Sequence, residues 1–222
     1  MSDAVRDGQP TTLVVHPPPT GRRAEILAVA AKVIAAKGVQ GASSSDIATA
    51  AGILSGSLYH HFRSKEQILA EMMVPLTVRQ LDRYRTVVAE EAARRSPADV
   101  VLHRLIEDTV TRVADHLDVA IILRNDQQVL SQLPAMAQMR DCRQASFQLW
   151  SAVVRDGVEQ GVLRVDLEPD EVVSVLLDAI LGTVRLFTGP RPADSARVGR
   201  QLANMLMSGL AVTQPPVDEP GD

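Results

Sequence analysis

From Arg22 onward, apolar side chains recur every three to four positions. Ile26, Leu27, Ala30, Val33 and Ile34 make one stripe, which predicts a helix over about 22–37. Gly38 should stop it, with Lys37 in the last turn. Ser43 followed by Asp46 at the third position is a variant of the capping box, so a short second helix opens there and ends at Gly52. A third short helix is predicted over 55–62, with Leu58 and Phe62, four residues apart, facing inward. Ser64, with Gln67 as its box partner, opens a fourth helix that runs into the nineties. It is expected to bend at Pro75, where a backbone hydrogen bond is lost.

The rest of the chain repeats the helical period. "SPADVV" predicts a start with Ser96 as cap and Pro97 in the first position. Helices follow to about residue 124 and over 126–133. A longer one covers 134–160, striped by Phe147, Trp150, Val154 and Val158 and ended by Gly161. "EPDEVV" opens the next near Pro169. From Val172 to Phe187 that helix is apolar nearly all round, which asks for two neighbours, the core and a second copy of the chain. Gly182 is expected to permit close backbone approach. A last helix covers 193–210. No strand-like alternation, internal repeat or low-complexity block interrupts the series, so the expected fold class is all-α.

Two short helices joined by a tight turn at Gly52, braced by a longer first helix, describe a helix-turn-helix. This divides the chain into an N-terminal three-helix domain over 20–70, with its motif at about 43–62, and a larger helical domain over 71–212. Residues 1–19, ending in "HPPPT", and residues 213–222, rich in Pro and acid, carry too little apolar surface to offset the entropy of ordering. They are predicted to be a disordered arm and tail.

Composition sharpens the division. Of 222 residues, 45% are apolar but only 3% aromatic, so Ala, Val and Leu must fill the core. Net charge is −4, yet residues 20–72 hold six Lys/Arg against four acids, a basic segment on an acidic body. That suits an anionic partner for the segment. Cys142 is the single cysteine, which rules out an intrachain disulfide and agrees with a reducing, cytoplasmic setting. It is read as a small buried apolar residue. No signal peptide is recognised, and no apolar run approaches the ~18 residues a membrane span needs.

In a helix-turn-helix the second helix lies in the DNA major groove, with its leading residues at the base edges. Here those residues are Ser55, Gly56 and Ser57. Small side chains let the backbone approach, and hydroxyls bond to bases or phosphates. Tyr59 and His60 face outward, suited to a phosphate or a thymine methyl. Lys65 stands in the first turn of the fourth helix, where its charge opposes the helix dipole and favours a nearby anion such as a DNA phosphate. The full set expected at DNA is Arg22, Arg23, Ser43, Ser45, Ser55, Gly56, Ser57, Tyr59, His60 and Lys65. The competing reading of Tyr59 and His60 is a solvated, packed face. A metal pair at His60–His61 is disfavoured, because adjacent helical residues point about 100° apart and no further ligands follow at a usual spacing.

The stretch "DIATAAGILSGSLYHHFRSKEQIL" resembles the DNA-binding signature of the TetR family of bacterial regulators. The resemblance covers about residues 20–70. Beyond them it rests on helix number, order and length. It implies a homodimer built from the helices over 134–160 and 168–187, a small-molecule pocket in the larger domain, and release from operator DNA when that pocket fills. "GILSGSLYHHF", "RNDQQVL" and "SFQLWSAVVRDGVEQGVLR" look most like actinobacterial members that control lipid or sterol breakdown, some of which bind acyl-CoA thioesters. The chain departs from many members at Leu54, usually small and polar, and at Ser55, often Lys. A leucine cannot cap a helix, which leaves Ser55 as the expected cap. Ser44 stands where a branched apolar residue is common, so looser packing of the second helix is expected.

The larger domain holds few aromatics, so its pocket should suit an apolar ligand body. His103, Arg124, Gln128, Arg143, Phe147 and Trp150 are the expected ligand-binding residues, with Arg124 and Arg143 placed to receive a carboxylate or CoA phosphate. Against this, both arginines have Asp126, Asp141 and Glu107 as possible ion-pair partners, and Trp150 suits a core. The expectation is a DNA-binding repressor released by a small apolar or acyl-CoA-type ligand, with no cofactor and no metal. The alternatives are a regulator without a small inducer, acting as an activator or controlled by a protein partner, and an all-helical enzyme. No Gly-rich phosphate loop, metal-ligand spacing or nucleophile–base pair supports the last.

Overall fold

Helical periodicity carries through to three dimensions. The computed structural model describes residues 20–166 and 168–211, and every regular element in them is helical. The sole β feature among them is an isolated bridge between Leu163 and Ala211. In chain order the helices are α1 (Gly21–Gly41), α2 (Ser44–Ala50), α3 (Ser55–His61), α4 (Lys65–Arg94), α5 (Ala98–Asp115), α6 (Leu117–Gln132), α7 (Ala137–Glu159), α8 (Pro169–Gly182), α9 (Val184–Phe187) and α10 (Ser195–Leu210). A 3-10 turn, Pro134–Met136, leads into α7. The expected disordered arm and tail lie outside the described residues.

The N-terminal elements follow their local signals closely. Ile26, Leu27, Ala30 and Ile34 are buried, as the stripe requires. Gly38 breaks the helical path at φ 77°, ψ 162°, but one more turn follows to Gly41, so the expected stop is a kink. Ser43 and Asp46 form a complete capping box on α2. Ser64 caps α4 by accepting from Gln67 N at 3.2 Å. The Gln67 side chain takes the Arg63 N–H at 2.7 Å, one residue before the cap where a full box would take Ser64's own. Pro75 lies inside a helix that runs unbroken from Lys65 to Arg94.

Three expected boundaries move. Ser96 does not cap α5. Its hydroxyl donates to buried Glu91 at 2.6 Å, Pro97 takes the cap position, and Gln160 at the end of α7 accepts the Ala98 N–H at 2.9 Å. The expected gap near residue 125 is a kink at Asp126 within α6. The helix expected from Pro169 to Phe187 divides at Thr183, whose hydroxyl donates to the Ile180 carbonyl at 2.6 Å. A Cβ on Gly182 would meet nothing within 4 Å, so the close approach expected there does not occur within this chain.

Two cores result. The first gathers α1–α3 and the start of α4, but also takes Ile122 and Leu130 from α6, with Met136 and Met139. The second lies among α4, α5, α7, α8 and α10, around Tyr84, Leu105, Trp150, Val154 and Leu176. Cys142 is buried as expected, beside Val78 and Leu81.

Candidate nucleic-acid interface and ligand site

The reading face is built by fixing one side of α3 and leaving the other open. Leu58 and Phe62 are 1% and 2% exposed, which anchors α3 on α1 and α2. Tyr59 is 58% exposed, and Ser55, Gly56 and His60 are also exposed. Ser57 is half-buried. Leu54, 80% exposed, is the residue before the helix and makes no side-chain cap bond. Ser55 does not cap either, contrary to expectation. Its hydroxyl sits 3.5 Å from that of Ser45, so two exposed hydroxyls from α2 and α3 stand side by side. A Cβ on Gly56 would meet nothing within 4 Å, so nothing inside the fold demands a glycine there.

Ser43 is occupied with its capping box. Its hydroxyl donates to Asp46 at 2.7 Å while accepting the Asp46 N–H at 3.1 Å. Lys37 Nζ adds a contact to the same carboxylate at 2.5 Å. Chiefly through Lys37, and then through Ser43, the Asp46 carboxyl is held well below the usual carboxylate range.

The cations divide by what they touch. Arg22 bonds the Ala51 carbonyl at 2.6 Å and Glu25 at 2.7 Å, remaining half-exposed. Arg23, expected at DNA, is engaged within the domain. It forks onto Glu71, with Nε–Oε2 at 2.8 Å, donates to the His61 carbonyl, and lies 4.1 Å over the Phe62 ring. It is a clamp between α1, the end of α3 and α4. Lys65 donates to the carbonyls of Val39 at 2.6 Å and Ala42 at 2.9 Å. Those carbonyls satisfy its ammonium, so its placement against the dipole of α4 does not by itself call for an anion. Long-range carbonyl partners of this kind leave no local sequence signal.

The six expected ligand residues do not form one site. Arg143, Phe147 and Trp150 share a face of α7, at the four-then-three spacing that brings helical residues together. Arg143 makes no hydrogen bond or ion pair among the described residues, and burial pulls its pKa down. Phe147 packs against the second core, and Trp150 is fully buried with its ring edge-on to Tyr84, centroids 5.5 Å apart. Arg124, also without an ion pair among the described residues, rims a cleft of about 350 Å³ with Gln127, Asp178, Leu181, Gly182 and Arg185. Neither arginine pairs with Asp126, Asp141 or Glu107. Gln128 is exposed and not in the cleft lining. His103 sits elsewhere, on the α5–α10 seam, with Nε2 2.9 Å from Asn204 Oδ1. Sequence reasoning missed Arg185, whose partnership with Arg124 depends on how α9 returns toward α6, and Tyr84, which is distant in sequence from Trp150.

No helix of the described residues is long and apolar enough to cross a membrane, and no group of three or more metal-ligating side chains occurs among them. An anchored reading helix with an exposed polar edge, joined to a helical body carrying an arginine-rimmed cleft, defines a helix-turn-helix regulator with an effector domain. Comparison with known proteins agrees. Residues 26–72 match the family of bacterial regulatory proteins of the tetR type, and residues 95–210 match the tetracyclin repressor-like C-terminal domain. The chain belongs to the tetR family of transcriptional regulators. It is similar to the HTH-type transcriptional repressor KstR2 of Mycobacterium tuberculosis (strain ATCC 25618 / H37Rv), 31% identical over 189 residues, 85% of this chain and 92% of that one. The solved structure of the ketosteroid transcriptional regulator KstR2 of Mycobacterium tuberculosis superposes with a TM-score of 0.80 at 29% identity, covering 90% of this chain and 100% of that one. FadR of Bacillus subtilis in complex with stearoyl-CoA shares the fold, with a TM-score of 0.62 at 21% identity over 83% of this chain and 97% of that one.

Proposed function

We propose that the chain is a homodimeric cytoplasmic repressor that reads operator DNA with α3 and leaves it when an apolar ligand, of the acyl-CoA type, fills the effector domain. The observation that carries this is the two-sided α3. Leu58 and Phe62 are locked in the core while Ser55, Gly56, Tyr59 and His60 face out. Ser45, Ser57 and Arg22 flank that edge, and Ser43 and Lys65 brace it. Lys65 keeps one N–H for a phosphate after its two carbonyl bonds. Arg23 acts from inside, by holding α3 in place.

The ligand class is supported by chemistry on both sides of α8. Arg124 and Arg185 supply cations at an open cleft, where phosphates of a CoA moiety find bidentate partners. Arg143 lacks a carboxylate partner, and the walls around Trp150 are Val, Leu and Ile. The relatives' names point the same way: one is a ketosteroid regulator, and one is bound to stearoyl-CoA. For the second copy, the exposed apolar side chains favour α8, α9 and α10, through Val175, Leu186 and Met205. The outward residues of α7, Asp141, Gln144, Gln148, Arg155 and Glu159, are polar, which disfavours the α7 contact expected from sequence.

Fluorescence anisotropy on the DNA upstream of the chain's own gene, with a panel of acyl-CoA thioesters, tests this directly. Salt-sensitive binding reversed by one thioester is the expected result. Tyr59→Ala should weaken binding by about 1–3 kcal/mol with thermal stability unchanged. Binding that no thioester disturbs would retain the DNA reader and remove the ligand class.

A further inference from the structure

Among the described residues of the reading domain, the large aliphatic side chains are packed away with one exception. Leu54 is 80% exposed, and the only other large apolar side chain there that faces solvent is Tyr59. The exposure belongs to this one position. Ile53, just before it, packs against the first core, and Leu58, one turn on, is buried. The Leu54 carbonyl accepts the N–H groups of Ser57 at 2.9 Å and Leu58 at 3.3 Å. The backbone that carries the side chain is therefore fixed by the first turn of α3.

Leu54 also occupies a position where the fold would gain from a different residue. It is the N-cap of α3, with extended backbone angles of φ −68° and ψ 145° that suit Ser, Thr, Asp or Asn. Both neighbouring helices use that device, α2 through Ser43 and α4 through Ser64, whereas α3 has no side-chain cap. A leucine here forgoes the cap and leaves apolar surface in water. At its exposure, packing inside the fold recovers little of either loss. Positions that break a local rule without compensation within the fold are where function is expected.

We infer that Leu54 reads a thymine methyl group in the DNA major groove and is a specificity-determining residue of this regulator. The inference rests on the DNA-reading role of α3. In a helix-turn-helix the leading end of the second helix meets the base edges, and Leu54 directly precedes Ser55 at that end. An isobutyl group neither donates nor accepts a hydrogen bond. Of the features that base pairs present in the major groove, the C5 methyl of thymine is the apolar one, and the rest are donors and acceptors. Pressed against those, the leucine would strip water from a polar group and return no bond. It therefore selects thymine by contact and also by penalising the alternatives. The paired hydroxyls of Ser45 and Ser55 beside it remain able to bond polar groups of the DNA.

The probe is a duplex enriched from a random-sequence pool by the full chain, so the operator need not be known beforehand. It is made twice, once with thymine and once with deoxyuridine in its place, which removes every C5 methyl and keeps every hydrogen-bonding group. The wild-type chain should prefer the thymine duplex. Leu54→Ala should shrink that preference by about fourfold for each reading helix bound, the worth of one buried methyl group. Leu54→Ser should shrink it likewise and raise the thermal midpoint of the free protein by about 2–4 °C, through the added cap. A thymine preference absent in the wild type, or undiminished in both variants, overturns the inference, because Leu54 then meets the sugar–phosphate backbone or nothing. So does a thermal midpoint that falls with Leu54→Ser, which would make the leucine a packing residue. A pool from which nothing is enriched removes the DNA reader itself and Leu54 with it, so the two failures are distinct.

Discussion

Gly38 of α1 and Asp126 of α6 sit against each other where the reading domain meets the effector domain. A Cβ added to Gly38 would lie 3.5 Å from Asp126 Oδ1, and both residues leave helical geometry there. The space would admit a methyl group, but the backbone would not. At φ 77° and ψ 162°, Gly38 occupies a region essentially closed to other residues. Gly38→Ala should therefore lower stability by about 1–3 kcal/mol, read from urea unfolding. A neutral result would mean that α1 continues straight through this point in solution.

Gly56 offers the opposite case. It is helical, exposed and free of neighbours. Gly56→Ala should raise stability by up to about 1 kcal/mol through helix propensity, and at the same time weaken operator binding by holding the backbone off the bases. Stability and affinity moving together, in either direction, would remove Gly56 from the reading face.

Arg23→Ala should act on the fold and leave the electrostatics of binding alone. It removes the fork onto Glu71, the bond to the His61 carbonyl and the contact over Phe62. The expected loss is about 1–2 kcal/mol, with the salt dependence of DNA affinity unchanged for the folded fraction. A slope reduced by about one phosphate would place its charge at DNA.

Asp46 sets an acid-side prediction. Its folded pKa lies below its unfolded value, chiefly through Lys37 and then Ser43. Such a group contributes stability that is complete above the unfolded pKa and fades as pH falls through the folded one. The stability difference between the wild-type chain and Asp46→Ala should stay constant from neutral pH to about 4 and shrink only below that. A difference already shrinking between pH 7 and 5 would show that the carboxyl is not held by these partners.

Much of the fold was legible because its signals are local. Ser43 with Asp46, Ser64 with Gln67 and the inward pair Leu58–Phe62 each act within one or two helical turns. Other residues answer to partners that their spacing does not announce. Ser96 resembles a cap until Glu91, five residues back, is seen buried beside it, and nothing near Lys65 in the chain foretells its bonds to the carbonyls of Val39 and Ala42. The fork of Arg23 onto Glu71, 48 residues on, is equally silent in the sequence. The interior packing is harder still to read. Nothing in the spacing of Tyr84, Thr109 and Trp150 announces that α4, α5 and α7 bring them together.

Helix α4 starts within the reading domain at Lys65 and ends at Arg94 in the effector body, with no linker between the two. Its thirty residues act as a single axle. Grafting this reading head onto another effector body therefore requires a splice inside α4 that keeps angular phase. One inserted residue would turn the head by about 100° and advance it by about 1.5 Å, so only insertions near whole turns would return α3 to its original heading.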